Sequence, residues 1–163
     1  MVTEITITRV RKVAKQSKLP KDISDTLKAY AAGFTDGEGY IGIRPSSQRK
    51  HGSEGHMLVV TLVNHDKRPI EMLLNYFGGL VYNRKMKPPS KPQFEYQVTG
   101  KNACAFLVNI SPFLLSKQEQ AEVAIEWWRG KNHKNLGGMR LPMEEERNNK
   151  YYLRMRELNH RGI

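Results

Sequence analysis

An acidic residue between two glycines is the part of this sequence best suited to chemistry. Glu38 lies between Gly37 and Gly39, and Asp36 comes directly before them. Because glycine has no side chain, a carboxylate and a backbone carbonyl can face one point there. Oxygen donors of this kind suit Mg²⁺, which usually binds one or two protein carboxylates together with phosphates and water. The alternative, which the local pattern alone favours, is a glycine cap at a helix end with two solvated acids.

Other chemical motifs are absent or lie in the wrong context. Residues 37–42 fit G-x-G-x-x-G, but a dinucleotide site needs a strand before the glycines and a helix after them, and here that order is reversed. The sequence has no G-x-x-x-x-G-K-[ST] element and no H-E-x-x-H sequence. Cys104 is the one cysteine, so we expect no disulfide framework and no multi-cysteine zinc site. It is predicted to be an inert core residue.

Length and charge limit the class of protein. The 163 residues amount to about one domain, and 27 Lys and Arg against 16 Asp and Glu give a formal net charge of +11. This charge predicts a polyanionic partner, and the alternative is a basic surface that only keeps the protein in solution. Residues 1–11 contain no continuous apolar core, and no apolar run approaches the roughly 20 residues of a membrane helix. We therefore expect a soluble, intracellular protein.

The acid–glycine segment follows a predicted helix that Asp22 or Ser24 can cap. One face of this helix is apolar at i, i+3, i+4 and i+7, and consists of Leu27, Tyr30, Ala31 and Phe34. The neighbouring face has small residues, which would allow another helix to approach closely: Ala29, Ala32 and Gly33.

The rest of the chain predicts an α+β domain with the element order α-β-β-α-β-β-α-α-α. About four antiparallel strands are expected, at residues 40–44, 56–64, 80–87 and 93–99. Residues 1–24 are interpreted as a basic N-terminal arm, within which residues 3–8 alternate like a strand, and residues 25–163 as one domain. Helical spacing places several large side chains of the last helices in the core: Trp127, Trp128, Tyr151, Tyr152, Met155 and Leu158.

Residues 31–39 resemble the LAGLIDADG motif of homing endonucleases. Four positions match by identity, namely Ala32, Gly33, Asp36 and Gly39. Phe34 and Glu38 are conservative changes, Gly37 replaces a small residue, and Ala31 and Thr35 depart from the motif. The family core has the element order αββαββα, as predicted here. Residues 112–120 also resemble the family segment after the fourth strand, so that the resemblance spans about residues 25–128.

This resemblance implies a four-stranded antiparallel saddle-shaped sheet, with extra C-terminal helices in this chain. The motif occurs once, and single-motif members of the family pair through their motif helices. A C2 homodimer that recognises a pseudo-palindromic duplex is therefore expected. The implied activity is metal-dependent hydrolysis of phosphodiesters on both DNA strands by an intron-encoded type of enzyme. Mg²⁺ or Mn²⁺ would support cleavage, and Ca²⁺ would support binding without cleavage.

The family motif also implies roles for individual residues. Glu38 aligns with the metal-binding acid, for which the family norm is Asp, and the Gly37 carbonyl would bind the same ion. Lys117 aligns with a basic residue near the active site, where it would orient water or stabilise negative charge. His65 or Lys67 would supply a second polar group. The expected dimer contacts are Ala29, Ala32, Gly33 and Asp36, the last also bracing the helix end.

The polar face of the sheet is expected to lie in the DNA major groove. Alternation along the strands nominates as base-reading residues Tyr40, Arg44, Tyr82, Arg84, Gln93, Glu95 and Gln97. A polar loop suited to phosphates and flanking bases contains Ser46, Ser47, Gln48, Arg49 and Lys50. Phosphate contacts are expected from Lys85, Lys87 and Lys91.

Two other functions remain open at this point. An RNA-binding intron maturase, which the same family supplies, would need the basic surface but not Glu38. A non-catalytic DNA-binding regulator of the same fold would have no need of Glu38 either. The acid between two glycines favours the endonuclease over both.

Overall fold

The computed structural model describes residues 7–13, 22–46, 55–131 and 142–160, with only the backbone described in the first range. The strands are β1 (Ile7–Val13), β2 (Gly39–Ser46), β3 (Gly55–Asn64), β4 (Leu80–Arg84) and β5 (Gln93–Thr99). The helices are α1 (Asp25–Glu38), α2 (Lys67–Phe77), α3 (Gly100–Ile110), α4 (Gln118–Arg129) and α5 (Pro142–Asn159), with a short 3₁₀ turn at Ser111–Phe113.

The strands form one antiparallel sheet in the order β1-β4-β5-β3-β2. The four predicted strands and the α+β class are confirmed. The sheet also has a fifth strand, because residues 7–13 of the predicted basic arm pair with β4. The sequence placed a strand at residues 3–8 instead, of which residues 3–6 lie outside the described ranges.

The pairing register separates the sheet into two faces. Tyr40 lies opposite Thr61, which lies opposite Gln97, so these three side chains share one face. This face will be called the open face, since the helices pack on the other one. The opposite face is apolar and buried, and its residues are Ile41, Ile43, Leu58, Val60, Leu62, Val81, Tyr96 and Val98.

Helices α1 to α4 complete the core on that apolar face. The inner face of α2 is buried, and it consists of Ile70, Leu73, Leu74 and Phe77. Cys104 of α3 is buried as predicted, and this burial raises the pKa of its thiol. None of the helices in the described ranges is long and apolar enough to cross a membrane.

The apolar face predicted for α1 is only partly correct. The residues that α1 buries are Ala31, Ala32 and Thr35, whereas Tyr30 is 53% exposed. Buried Thr35 has no unsatisfied hydroxyl, because its Oγ1 donates to the Ala31 carbonyl at 2.7 Å. Small side chains on the core side bring α1 close to the sheet and leave its larger apolar residues at the margin.

Between the end of α2 and the start of β4, the backbone passes very close to β5. Gly79 has φ +104°, and a Cβ at this position would lie 2.6 Å from the Gln97 carbonyl oxygen. Only glycine adopts this backbone without strain and without the clash. Gly78 and Gly79 therefore end α2 and place β4 beside β5.

Helices α4 and α5 pack together through a buried polar contact. The Trp127 indole Nε1 donates to Asn148 Oδ1 at 2.8 Å, with Trp127 fully buried and Asn148 only 3% exposed. Trp127, Met155 and Leu158 are buried as predicted, while Trp128, Tyr151 and Tyr152 are partly buried. This hydrogen bond fixes the register of α5 against α4, because a buried indole N–H without a partner is costly.

We expect Asn148→Ala to lower the free energy of unfolding by about 1–3 kcal/mol, since it leaves the Trp127 N–H unpaired. Asn149→Ala, one residue along on the exposed side of α5, should change it by less than about 0.5 kcal/mol. Urea unfolding followed by circular dichroism measures both. Equal effects of the two substitutions would show that the buried hydrogen bond does not stabilise the fold.

Candidate active site and nucleic-acid interface

The end of α1 presents Glu38 to the surface. Glu38 is the last residue of the helix, and Gly39 begins β2 directly after it. The Glu38 side chain is exposed, and within the described ranges no hydrogen bond or ion pair holds its carboxylate. Gly37 is exposed too, and the position of its absent Cβ is open space. A carboxylate and a neighbouring carbonyl are thus accessible at one helix end.

Asp36 has a different role from Glu38, because the turn before α4 saturates its carboxylate. The Leu115 amide donates to Oδ2 at 2.8 Å, and the Ser116 hydroxyl and the Lys117 amide donate to Oδ1 at 3.0 Å each. Burial acts to raise the pKa of Asp36, but these hydrogen bonds outweigh it, and the pKa lies below its ordinary value. Asp36 therefore braces the helix end within its own chain.

Lys117 lies at the same end of α1. Its ammonium group donates to the main-chain carbonyl of Asp36, and its amide donates to the Asp36 carboxylate. The structure thus brings Lys117 and the acid–glycine segment together from positions about 80 residues apart. The Lys117 ammonium group therefore lies at the end of the helix that carries the exposed Glu38.

His65 and Lys67 are held elsewhere. His65 Nδ1 lies 2.9 Å from the Pro92 carbonyl oxygen, and Lys67 forms an ion pair with Glu71 at 2.7 Å. The structure does not join either side chain to Glu38. Neither contact could be predicted from sequence, since Pro92 comes from another loop and the Lys67–Glu71 pair is one of several possible surface pairs.

Sequence reasoning overlooked Asn64 in this region. β3 pairs Leu62 with Gly39 and continues to Asn64, so Asn64 lies at the end of the sheet that α1 enters. Its Oδ1 accepts a hydrogen bond from the Asp66 amide at 2.8 Å, which leaves its amide NH₂ group as a donor. Only the strand register, which the sequence does not contain, shows this placement.

The predicted dimer contacts divide into two groups. Ala29 and Gly33 are exposed along one side of α1 together with Gly37, which was not a predicted contact, and the Cβ positions at Gly33 and Gly37 meet nothing within 4 Å. Asp36 is partly buried and is bound by the turn of its own chain. Ala32 is fully buried in the core of its own chain, so its assignment to the dimer interface is wrong. Beside the exposed stripe, Leu115 has 89% of its surface accessible to solvent.

The base-reading residues predicted on β2 interact with each other on the open face. The Tyr40 ring covers Gly42, because a Cβ at Gly42 would lie within 2.5 Å of three Tyr40 ring and hydroxyl atoms. The Arg44 guanidinium lies 4.6 Å from the centre of that ring. The arginine is therefore supported by an aromatic surface but keeps its charge.

The residues predicted on β4 and β5 form cross-strand pairs. Arg84 forms an ion pair with Glu95, whose side chain is only 12% exposed. The Tyr82 hydroxyl donates to Gln97 Oε1 at 3.3 Å. Together with partly buried Gln93, these side chains make the β4 and β5 part of the open face polar.

The loop between β4 and β5 adds positive charge, with Lys85, Lys87 and Lys91 all exposed. Ser46 is the last residue of β2. The other loop residues predicted to contact DNA lie outside the described ranges, namely Ser47, Gln48, Arg49 and Lys50.

The family assignment rests on the sequence. The model of the family described as LAGLIDADG endonuclease matches residues 31–114, just over half of the chain. The chain belongs to the LAGLIDADG endonuclease family. No curated protein matches its sequence.

Solved structures of homing endonucleases share the fold. The archaeal intron-encoded enzyme I-Vdi141I, complexed with DNA, superposes with a TM-score of 0.66 at 19% identity, over 85% of this chain and 87% of that one. I-CvuI, in complex with uncleaved I-CreI target in the presence of Mg, gives 0.63 at 18% identity over 80% of each chain. I-SmaMI bound to cleaved DNA gives 0.54 at 18% identity, over 78% of this chain but only 45% of that longer chain.

We expect Asp36→Asn to destabilise the fold at pH 7 by about 1–3 kcal/mol, because an amide cannot accept at both positions. The lowered pKa of Asp36 means that its carboxylate stabilises the fold above the unfolded pKa of about 3.9, and that this contribution is lost as the pH falls through the folded value. When the pH is lowered below about 4, the free energy of unfolding should therefore fall less for the variant than for the wild type.

Urea unfolding at several pH values measures this difference. Asp22→Asn, an exposed acid outside the helices and strands, is the matched control and should follow the wild type. A pH dependence unchanged by Asp36→Asn would contradict the bracing role.

Proposed function

We propose that this chain is a site-specific DNA endonuclease that acts as a homodimer. It would hydrolyse both strands of a long pseudo-palindromic duplex with the help of a divalent metal. The observation that carries this proposal is the end of α1, where Glu38 is exposed directly before β2 and the Lys117 ammonium donates to the Asp36 carbonyl. The membership of the LAGLIDADG endonuclease family supports the same activity.

The donor set suits a hard divalent cation shared with the substrate. Within the described ranges no three His, Cys, Asp or Glu side chains form a cluster that could hold a metal, so one chain offers the Glu38 carboxylate and the Gly37 carbonyl. Mg²⁺ accepts such a sparse set when phosphate oxygens and water complete its shell. Bound there, the metal would activate water and stabilise the leaving oxygen. I-CvuI has been solved with DNA in the presence of Mg and of Ca.

Lys117 would act on the charge that develops at the scissile phosphate. A fixed ammonium group stabilises negative charge most strongly where water is excluded. Its hydrogen bond to the Asp36 carbonyl holds the ammonium at the helix end before DNA binds. Asp36 would only hold the end of α1 in place, because its carboxylate already accepts hydrogen bonds from the turn at residues 115–117.

A second copy of the chain would complete the cleavage unit. One chain supplies a single exposed motif acid, whereas cutting both strands needs one at each scissile phosphate. The exposed side of α1 has small residues at Ala29, Gly33 and Gly37, with exposed Tyr30 and Leu115 beside them. Two α1 helices packed through this side would bring both Glu38 residues near one dyad, as a two-fold DNA site requires.

The open face would read the DNA. A twisted sheet edge or ribbon fits the major groove, where Arg can pair with guanine and Gln with adenine. The net charge of +11 and the exposed lysines of the β4–β5 loop would supply the sequence-independent attraction. The five-stranded sheet offers a wider surface than the four strands predicted, since β1 pairs with β4 at its edge.

The first experiment is a selection from a randomised duplex library in Ca²⁺, followed by addition of Mg²⁺ to the bound pool. We expect a pseudo-palindromic site that is cut after Mg²⁺ addition. Glu38→Gln should abolish cutting and leave binding within about twofold, because it removes the metal ligand and keeps the side-chain shape.

Glu122→Gln is the matched control, since Glu122 is an exposed acid of α4 away from the helix end, and it should cut normally. Normal cutting by Glu38→Gln would exclude the metal assignment. Specific binding without any cutting by the wild type would favour the regulator, and specific binding of structured RNA alone would favour the maturase.

The Arg84–Glu95 pair predicts a change in specificity. Glu95→Gln should release the arginine to nearby phosphates, so that binding to unrelated duplexes becomes tighter and more sensitive to salt. Preference at one base pair of the target should fall by about 1–3 kcal/mol. Glu71→Gln makes the same charge change in the surface pair with Lys67 and should leave specificity intact. An unaltered target preference in Glu95→Gln would show that the pair is not used for base reading.

A further inference from the structure

A cavity of about 550 Å³ lies between β2 and the C-terminal end of α5. Side chains that line it include Tyr40, Arg44, Tyr152, Arg156, Asn159 and His160. Helix α5 lies beyond residues 31–114, the part of the chain that matches the family model. The cavity is also distinct from the end of α1 that carries Glu38.

Two kinds of contact hold the end of α5 against β2. Met155 and Leu158 are 1% and 2% exposed, so this turn of the helix is anchored in the core. The Asn159 side-chain amide then donates to the Ile41 carbonyl at 3.0 Å. The walls of the cavity are therefore fixed by packing and by a hydrogen bond to the strand.

The charged side chains of this cavity are two arginines. Arg44 comes from β2, and Arg156 and His160 come from α5, while no Asp or Glu lines the cavity. In the described part of the chain neither arginine forms an ion pair. Each lies instead near an aromatic ring, Arg44 at 4.6 Å from the centre of Tyr40 and Arg156 at 5.8 Å from that of Tyr152. Such contacts orient a guanidinium without neutralising it.

Arg154, on the same helix, shows the contrast. It is paired with Glu119 of α4 and with Glu157, so acids compensate its charge. Uncompensated guanidinium groups that converge on one cavity are suited to a phosphate, which accepts several hydrogen bonds from them. Arg156 also complements the C-terminal end of the α5 dipole. That role would affect the stability of the helix and not the binding of an anion.

We propose that this cavity binds a phosphate of the DNA backbone. Tyr40 and Arg44 belong to the open face, so the cavity lies at the margin of the surface that would read the bases. A strand of DNA crossing β2 would bring a backbone phosphate to Arg44, Arg156 and His160. This inference rests on the proposed function, and it makes α5 part of the DNA interface in addition to its packing role.

The test compares Arg156→Gln with Arg154→Gln in Ca²⁺, on the selected target duplex and on an unrelated duplex. For Arg156→Gln we expect binding to both duplexes to weaken by a similar factor, about three- to tenfold at low salt. The slope of log K against log salt should fall by about 0.9, the value for one lost phosphate contact. Arg154→Gln should bind like the wild type. Substituting a methylphosphonate for the contacted phosphate should weaken the wild type and leave Arg156→Gln unaffected.

Urea unfolding of the same variants separates binding from folding. An unchanged unfolding midpoint for Arg156→Gln together with the reduced slope supports the phosphate site. Wild-type affinity and slope in Arg156→Gln would overturn it, as would equal losses in both variants, which would indicate a general effect of charge. If the wild type bound no duplex specifically, the proposed function itself would fail. If the wild type bound specifically and Arg156→Gln bound with the same affinity and salt slope, only this inference would be overturned.

Discussion

The hydrogen bonds that the turn at residues 115–117 makes to Asp36 are the contact on which the end of the motif helix depends. They join segments 79 to 81 residues apart in sequence, and one carboxylate accepts all three at 2.8–3.0 Å. Because both oxygens of Asp36 are used, the position of Glu38 relative to Lys117 is set before any ligand arrives. Two acids only two residues apart thus have opposite surroundings: one is saturated by donors, and the other is exposed.

Polar residues of the open face are also arranged in advance. A carboxylate such as Glu95, facing a polyanion, would be repulsive if it stood alone. Its pairing with Arg84 removes this cost and limits the positions that the guanidinium can take. The Tyr40 ring over Gly42 serves a related purpose, since it fills the space above a glycine and supports Arg44. Side chains held in this way would lose less conformational entropy if a ligand bound to them.

Sequence patterns predicted the parts of the fold that depend on local periodicity. Alternation predicted β2 to β5, and helical spacing predicted the burial of Trp127, Met155 and Leu158. The buried side of α1 was harder to predict, because its small residues serve two surfaces and spacing alone cannot assign Ala32 to one of them. Lys117 was found through the family resemblance. The cross-strand partners of Arg84 and Tyr82, and the contact of His65 with Pro92, depend on register and loop packing that no local pattern records.

The two margins of the sheet differ in how they resist unwanted strand pairing. At the β2 margin, the Asn159 amide occupies the Ile41 carbonyl, a group that another extended chain would otherwise use. At the other margin, β1 has three basic residues among seven, and like charges discourage identical strands from stacking side by side. A broad sheet with one face free of helices is thereby less open, at its β2 margin, to pairing with copies of itself.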